Sequence, residues 1–342
     1  MRAIKTGLVA TATVAALLIS GCTGGGKEGT AGTVAPPVVA PSSTPAAVPS
    51  SPPAESTRAA TIDGTLLYAN LDKVYGVRDG KPSVLHRSPG RMLTLPSVSP
   101  DGRHLAYVED ELTVSGVDGK NRRTYKFDID ISDGSTNLGP AWTADSAGLL
   151  VRRIDAQTKN RITKVTEGIF RIADGSFQAL PKSLQGFENY LMSGDGKRIF
   201  FIDKGVICST AVDGSDLRKV PVIGAESSAQ NPSRLQANVL GTVNADGSRI
   251  TAILFRMTDG NDEAGGTPDR LIDTATGKVV PTVVKDGPGS LLILRDGSVL
   301  AGTGDVAGTQ TLTLFSAAGR VLTSRSFSMK LDFDARLSGY AE

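Results

Sequence analysis

Leu95-Pro96-Ser97-Val98-Ser99-Pro100-Asp101-Gly102-Arg103-His104-Leu105-Ala106-Tyr107 decides the fold. It reads as a short strand, an Asp-Gly turn and a second strand of alternating character. Four weaker copies follow: Pro140–Val151, Met192–Phe201, Val243–Ile250 and Leu294–Leu300. Thr61–Tyr68 is a degenerate copy ahead of it. The turn aspartates stand at 63, 101, 145, 195, 246 and 296, so the intervals are 38, 44, 50, 51 and 50 residues. That period is the size of one four-stranded propeller blade. A second turn follows each copy, at Asp79-Gly80, Asp118-Gly119, Asp174-Gly175, Asp213-Gly214, Thr276-Gly277 and Ala318-Gly319. Asp-Gly suits the type I′ hairpin turn, which needs positive φ at both central residues. Each unit is therefore strand, tight turn, strand, longer loop, strand, Gly turn, strand. The expected fold is all-β: a six-bladed propeller of four-stranded antiparallel blades over residues 61–342.

The ring needs a closure. The first unit starts abruptly at Thr61, and the sixth is complete by Phe327. The alternating run Met329–Ala335 is left over and is expected to complete the first blade, which removes an exposed edge. In this strand order the first and third turns of each blade open on one end of the ring. The second loops and the connections between blades open on the other. The long irregular segments, Asp128–Gly139, Ile154–Arg161, Ile223–Gln236, Met257–Asp269 and Gly304–Gln310, all belong to the second class. Long loops on a rigid scaffold are where binding residues concentrate. Arg152, Arg153, Asp155, Arg256 and Asp259, at or beside these loops, are the candidate ligand contacts.

Ahead of the repeats lie two segments of other character. Residues 1–21 carry Arg2 and Lys5, an uncharged apolar stretch from Gly7 to Ile19, and a small-residue end at Ser20-Gly21 before Cys22. This is the pattern of a secretory signal, and the apolar stretch is shorter than a membrane-spanning helix requires. Ile19-Ser20-Gly21-Cys22 resembles the bacterial lipobox, which implies lipidation of Cys22. Residues 22–60 are then the lipidated cysteine and a linker, Gly-rich to Gly32, with seven prolines between Val34 and Pro53. Such a composition buries too little apolar surface to fold and leaves an extended tether. An extracytoplasmic protein anchored to the cell membrane by its N-terminal lipid is the expectation.

Charge and chemistry narrow the function further. Without Arg2 and Lys5, 35 basic residues face 35 acidic ones, which argues against a nucleic-acid partner. With Cys22 lipidated, Cys208 is the one cysteine remaining and has no disulfide partner; its apolar run, Gly205–Cys208, suggests an inert buried thiol. The two histidines, His86 and His104, accompany no nucleophile motif, and His104 sits beside a repeat turn. No phosphate-binding loop, nucleophile elbow or zinc-protease motif occurs. Asp128-Ile129-Asp130-Ile131-Ser132-Asp133-Gly134-Ser135 has the alternating carboxylates of a calcium loop. Its spacing is one residue longer than the EF-hand pattern, and no Glu closes it. An alternating strand entering an Asp-Gly turn accounts for it equally well. No catalytic residue, metal or cofactor is expected.

Pro96 and Ser99-Pro100-Asp101-Gly102-Arg103, followed by the strand His104–Tyr107, resemble the repeat of TolB-type propellers. Trp142 holds the aromatic position of that repeat in the second copy alone, and the Ser-Pro pair is lacking outside the copy at Ser99-Pro100. The resemblance spans roughly residues 61–342. It implies the propeller fold, while the linker stands where TolB has an additional N-terminal domain that contacts partners. The same repeat forms the propeller of some peptidases, but no hydrolase domain follows it here. The reading is a non-catalytic binding or scaffold module with an unknown protein, peptide or glycan ligand. The alternative is a propeller enzyme, a lyase or hydrolase acting on cell-envelope glycan or peptide. An enzyme should gather convergent charged groups at the channel mouth, whereas a scaffold should show an apolar or aromatic patch.

Overall fold

Alternating apolar strands joined by tight Gly turns stack here as six four-stranded antiparallel sheets in a ring. The structure is a computed structural model, and it describes residues 61–342 apart from 90–92, 131–139, 160, 222, 224–234, 257–266, 283–288 and 333. Blade 1 contains β1 (Thr65–Ala69), β2 (Lys73–Arg78) and β3 (Lys81–Arg87). Blade 2 contains β4 (Ser97–Val98), β5 (His104–Val108), β6 (Leu112–Gly116) and β7 (Arg123–Tyr125). Blade 3 contains β8 (Ala141–Trp142), β9 (Gly148–Thr158), β10 (Arg161–Arg171) and β11 (Phe177–Ala179). Blade 4 contains β12 (Glu188–Met192), β13 (Arg198–Asp203), β14 (Val206–Ala211) and β15 (Arg218–Lys219). Blade 5 contains β16 (Gln236–Val243), β17 (Arg249–Phe255), β18 (Arg270–Asp273) and β19 (Val279–Val280). Blade 6 contains β20 (Ser290–Ile293), β21 (Val299–Gly304), β22 (Thr309–Phe315) and β23 (Val321–Ser328). The last strand, β24 (Arg336–Ala341), returns to blade 1 and pairs with β1 as that blade's innermost strand.

The closure is therefore of the expected kind but uses a different segment. Met329–Ala335 does not enter the ladder. Met329 N donates to Gly308 O at 2.9 Å and Leu331 N to Val306 O at 3.1 Å, which ties this run across a loop of blade 6. Its apolar alternation serves the core instead, with Met329 and Leu331 buried. Asp332 fastens the crossing to blade 1 by accepting from Lys73 Nζ at 2.6 Å, Tyr75 OH at 2.7 Å and Asn70 Nδ2 at 3.0 Å. These donors hold its carboxyl below the usual range, Lys73 contributing most. In β24, Gly339 lies where a Cβ would stand 2.4 Å from Val98 Cγ2 of blade 2, so a side chain has no room there.

Strand alternation sends successive side chains to opposite faces of each blade. Leu66 and Tyr68 pack toward blade 6, and Leu67 and Ala69 toward blade 2. Among the described residues the core is accordingly six hydrophobic clusters, one in each gap between neighbouring blades. The turns also differ in part from expectation. Asp79 and Gly80 both have positive φ, 50° and 72°, as a type I′ turn requires. At the principal repeat, Gly102 alone is left-handed, at 72°. Gly102 N donates to Ser99 O at 2.8 Å, so Pro100 and Asp101 occupy the centre of a type I turn. Asp101 Oδ1 then accepts from Arg103 N at 3.0 Å. The same carboxylate-to-backbone bond recurs at Asp145, Asp195, Asp246 and Asp296.

Candidate functional site

An overlong hairpin in blade 3 distinguishes the end of the ring opposite these tight turns, while a central channel reaches both ends, with Asp101 and Asp145 of the tight turns also in its wall. The innermost strands β24, β4, β8, β12, β16 and β20 follow one another around a channel of about 690 Å³. Its wall is largely apolar, with Val98, Ala141, Leu191, Leu240, Ile293 and Leu337 among its residues. At the hairpin end it also includes Asp130 and Arg152.

Ile154–Arg161, expected as a loop, continues the hairpin. β9 and β10 each run 11 residues and stay paired out to Arg161 opposite Thr158. The polar run Gln157-Thr158-Lys159 hides this strand because both of its faces meet solvent, which removes the apolar alternation. A third piece of chain stiffens the hairpin. Asp130 N donates to Arg152 O at 2.9 Å and Ile154 N to Asp128 O at 2.8 Å, and Ile129 bridges Arg153. Asp128 and Asp130 are thus part of an extended strip laid along β9. The rest of the calcium-like stretch, 131–135, lies outside the described residues.

Arg152 and Arg153, adjacent in β9, point to opposite faces. Arg152 faces the ring, with its guanidinium 3.4 Å from Asp130 Oδ2 and 3.4 Å from Glu167 Oε1. Both carboxylates are buried. Glu167 Oε2 also accepts from Gly186 N at 3.1 Å. Burying a charge is costly unless it is paired, so this cluster holds the base of the hairpin in one position. Arg153 lies outward, 4.3 Å above the ring of Phe177, with Nε 2.9 Å from Asp155 Oδ1. The hydroxyl of Thr166, then Arg153, hold the Asp155 carboxyl below its usual range. Phe177 continues into Phe127 (5.5 Å between centroids) and Phe127 into Phe170 (4.8 Å). Phe127 and Phe177 are half-buried. The result is a partly exposed aromatic patch carrying a guanidinium.

Of the sequence candidates, the structure brings Arg152, Arg153 and Asp155 together on one strand. Arg256 follows β17 and is exposed, while Asp259 and Cys22 lie outside the described residues. Sequence reasoning missed Asp130 and Glu167 as partners of Arg152, and Phe127 and Phe177 as neighbours of Arg153. The alternation Phe127-Asp128-Ile129-Asp130 was the available signal for half of this set. His86 lies on the outer strand β3, between Glu109 (3.3 Å) and Arg122 (3.1 Å), with Ser88 also bonded to Glu109. His104 is half-buried, tilted against Trp142 at 6.0 Å. Burial pushes the Cys208 thiol up to about 11. Among the described residues no three His, Cys, Asp or Glu side chains converge as metal ligands.

No family model and no curated protein matches this chain. Solved structures do. TolB from Acinetobacter baumannii is similar with a TM-score of 0.52 and 16% identity, over 82% of this chain and 67% of that one. A chain of the nidogen–laminin complex aligns with a TM-score of 0.47 and 10% identity, over 76% of this chain and 92% of its own. At such identities the likeness to TolB is one of fold: a TolB-like six-bladed propeller.

Proposed function

We propose that this chain is exported, lipidated on Cys22 and held at the outer face of a bacterial membrane. There its propeller binds a protein, peptide or glycan partner through the hairpin end of the ring. The export and lipid reading is supported by the charged start, short apolar run and Ser20-Gly21-Cys22 ending of the sequence. One observation carries the binding reading: Arg153 stacked on Phe177, with Phe127 beside it, at the base of the projecting β9–β10 hairpin. Aromatic and arginine side chains dominate the energetics of protein interfaces, and here they sit on a braced scaffold. In this reading the propeller binds its partner without transforming it. Arg152, a guanidinium at the hairpin end of the channel wall, is committed to Asp130 and Glu167. Arg256, which follows β17, belongs to the same end by strand order, and it and Asp259 are proposed as further contacts.

Photo-crosslinking in the producing cells tests the choice of face. A crosslinker at Lys159, on the hairpin tip, should trap the partner, and one at Lys197, beside a tight turn, should not. Arg153→Ala and Arg256→Ala should reduce capture more than Lys197→Ala and Arg249→Ala. Equal capture from both ends, or capture from Lys197 alone, overturns the assignment.

A further inference from the structure

The two edges of the β9–β10 hairpin are not equivalent. Along β9 the edge is covered by Asp128–Asp130. Along β10 the covering strand β11 reaches only Gly168–Phe170. One residue further, Glu167 is capped by Leu180 N, which donates to Glu167 O at 2.9 Å, and by the side chain of Gln185. Glu167 N donates to Gln185 Oε1 at 2.9 Å, and Gln185 Nε2 donates to Glu167 O at 2.9 Å. The backbone of Glu167 therefore faces away from β9. Antiparallel alternation turns Val165 the same way, and its partner Ile154 confirms this by facing the strip on the other edge. Among the described residues nothing pairs with the N–H and C=O of Val165. From Thr166 to Arg161 the open edge is about 20 Å long, and the register with β9 shifts on either side of Lys164.

We propose that this edge of β10 captures an extended acidic peptide segment, which pairs with it as an added strand. Two observations fix the chemistry of the occupant. First, Arg153–Thr166 carries four basic side chains, Arg153, Lys159, Arg161 and Lys164, against the single acid Asp155. Lys159, Arg161 and Lys164 are exposed. Second, the protein already lays an acidic extended strip, Asp128-Ile129-Asp130, on the opposite edge, where Asp130 meets Arg152. A second copy of the hairpin is a poor occupant, because lysine and arginine along an edge oppose self-pairing. Strand addition to an open edge draws its affinity from main-chain bonds and its selectivity from alternate side chains.

This inference rests on the hairpin-end reading above and gives its partner a chemistry. A random peptide display library is the probe, panned against the mature chain. Enriched peptides should be rich in Asp and Glu and poor in proline, and should slow amide exchange at Val165. Val165→Pro removes a donor that faces the open edge and leaves the bonds to β9 intact. It should weaken those peptides by about tenfold or more, as should Arg161→Glu with Lys164→Glu. The exchange measurement on the unaltered chain stands even if the proline variant folds poorly. Enrichment of neutral or basic peptides, an empty selection, or acidic peptides that leave Val165 exchange unchanged each overturns strand addition. Peptides lost with Arg153→Ala but silent at Val165 overturn it too, yet leave the hairpin-end reading intact.

Discussion

Leu337→Ala tests whether the ring unfolds as one body. Leu337 is 3% exposed and sits on the closing strand β24, in the cluster formed by Leu66, Leu300 and Leu312. Removing its side chain leaves a cavity between blades 6 and 1, while backbone pairing to β1, the Gly64–Tyr340 bond and the fit of Gly339 against Val98 remain. Buried Leu→Ala changes of this kind cost about 3 kcal/mol. For a domain of this size each kcal/mol lowers the melting temperature by about 2–4 °C, so a fall of about 6–12 °C is expected. The assay is guanidinium and thermal unfolding followed by fluorescence of the sole tryptophan. Trp142 is buried between blades 2 and 3, away from the mutation, with Nε1 bonded to Ser97 O at 3.1 Å. If closure makes the ring cooperative, the Trp142 transition shifts by the full amount. A shift below about 1 kcal/mol at Trp142, with exchange rising only in β24, would refute the reasoning and show a strand that frays alone.

Arg152→Met leaves Asp130 and Glu167 buried beside an apolar side chain; the expected loss is about 3–5 kcal/mol in chemical denaturation, and a loss under about 1 kcal/mol contradicts the pairing. Burial, then Arg122, lower the pKa of His86, so the folded protein resists a proton that the unfolded chain accepts below about pH 6.5. Stability should therefore fall as pH drops through that window, and His86→Gln should flatten the slope; an equal slope in both proteins assigns it elsewhere. Cys22→Ser should move the protein out of the membrane fraction or leave it uncleaved, and a cleaved variant still in the membrane fraction defeats the lipid reading.

The blades were legible because one local device repeats. Each Asp-Gly turn uses short-range chemistry, a left-handed glycine and a carboxylate capping the backbone two residues on, and such signals survive without knowledge of contacts. The closing strand was harder. Met329–Ala335 and Arg336–Ala341 both alternate, and the choice depends on Gly339, whose lack of a side chain fits it against Val98 of a blade more than 200 residues away. The long hairpin was hidden by its solvation, since a strand wet on both faces has no apolar period. The Arg152 cluster draws on β9, β10 and the strip before blade 3, so no motif spacing announces it. Arg153 was chosen for its charge; the aromatic surface beneath it comes from Phe177, in a strand two turns further on.

The pairing of Gly64 with Tyr340 spans 276 residues. Chain entropy charges for such a contact only logarithmically: about 5 kcal/mol beyond a constant, and merely 0.1–0.2 kcal/mol more, roughly, if one further repeat were threaded in. The number of blades is therefore almost free of this penalty. What holds the count at six is the packing of the six interfacial clusters, each filling the gap between two neighbouring blades. Duplicating a repeat would leave the end-to-end tie nearly as favourable and would instead force every gap to narrow, so the sequence resists a seventh blade through side-chain volume rather than through chain length.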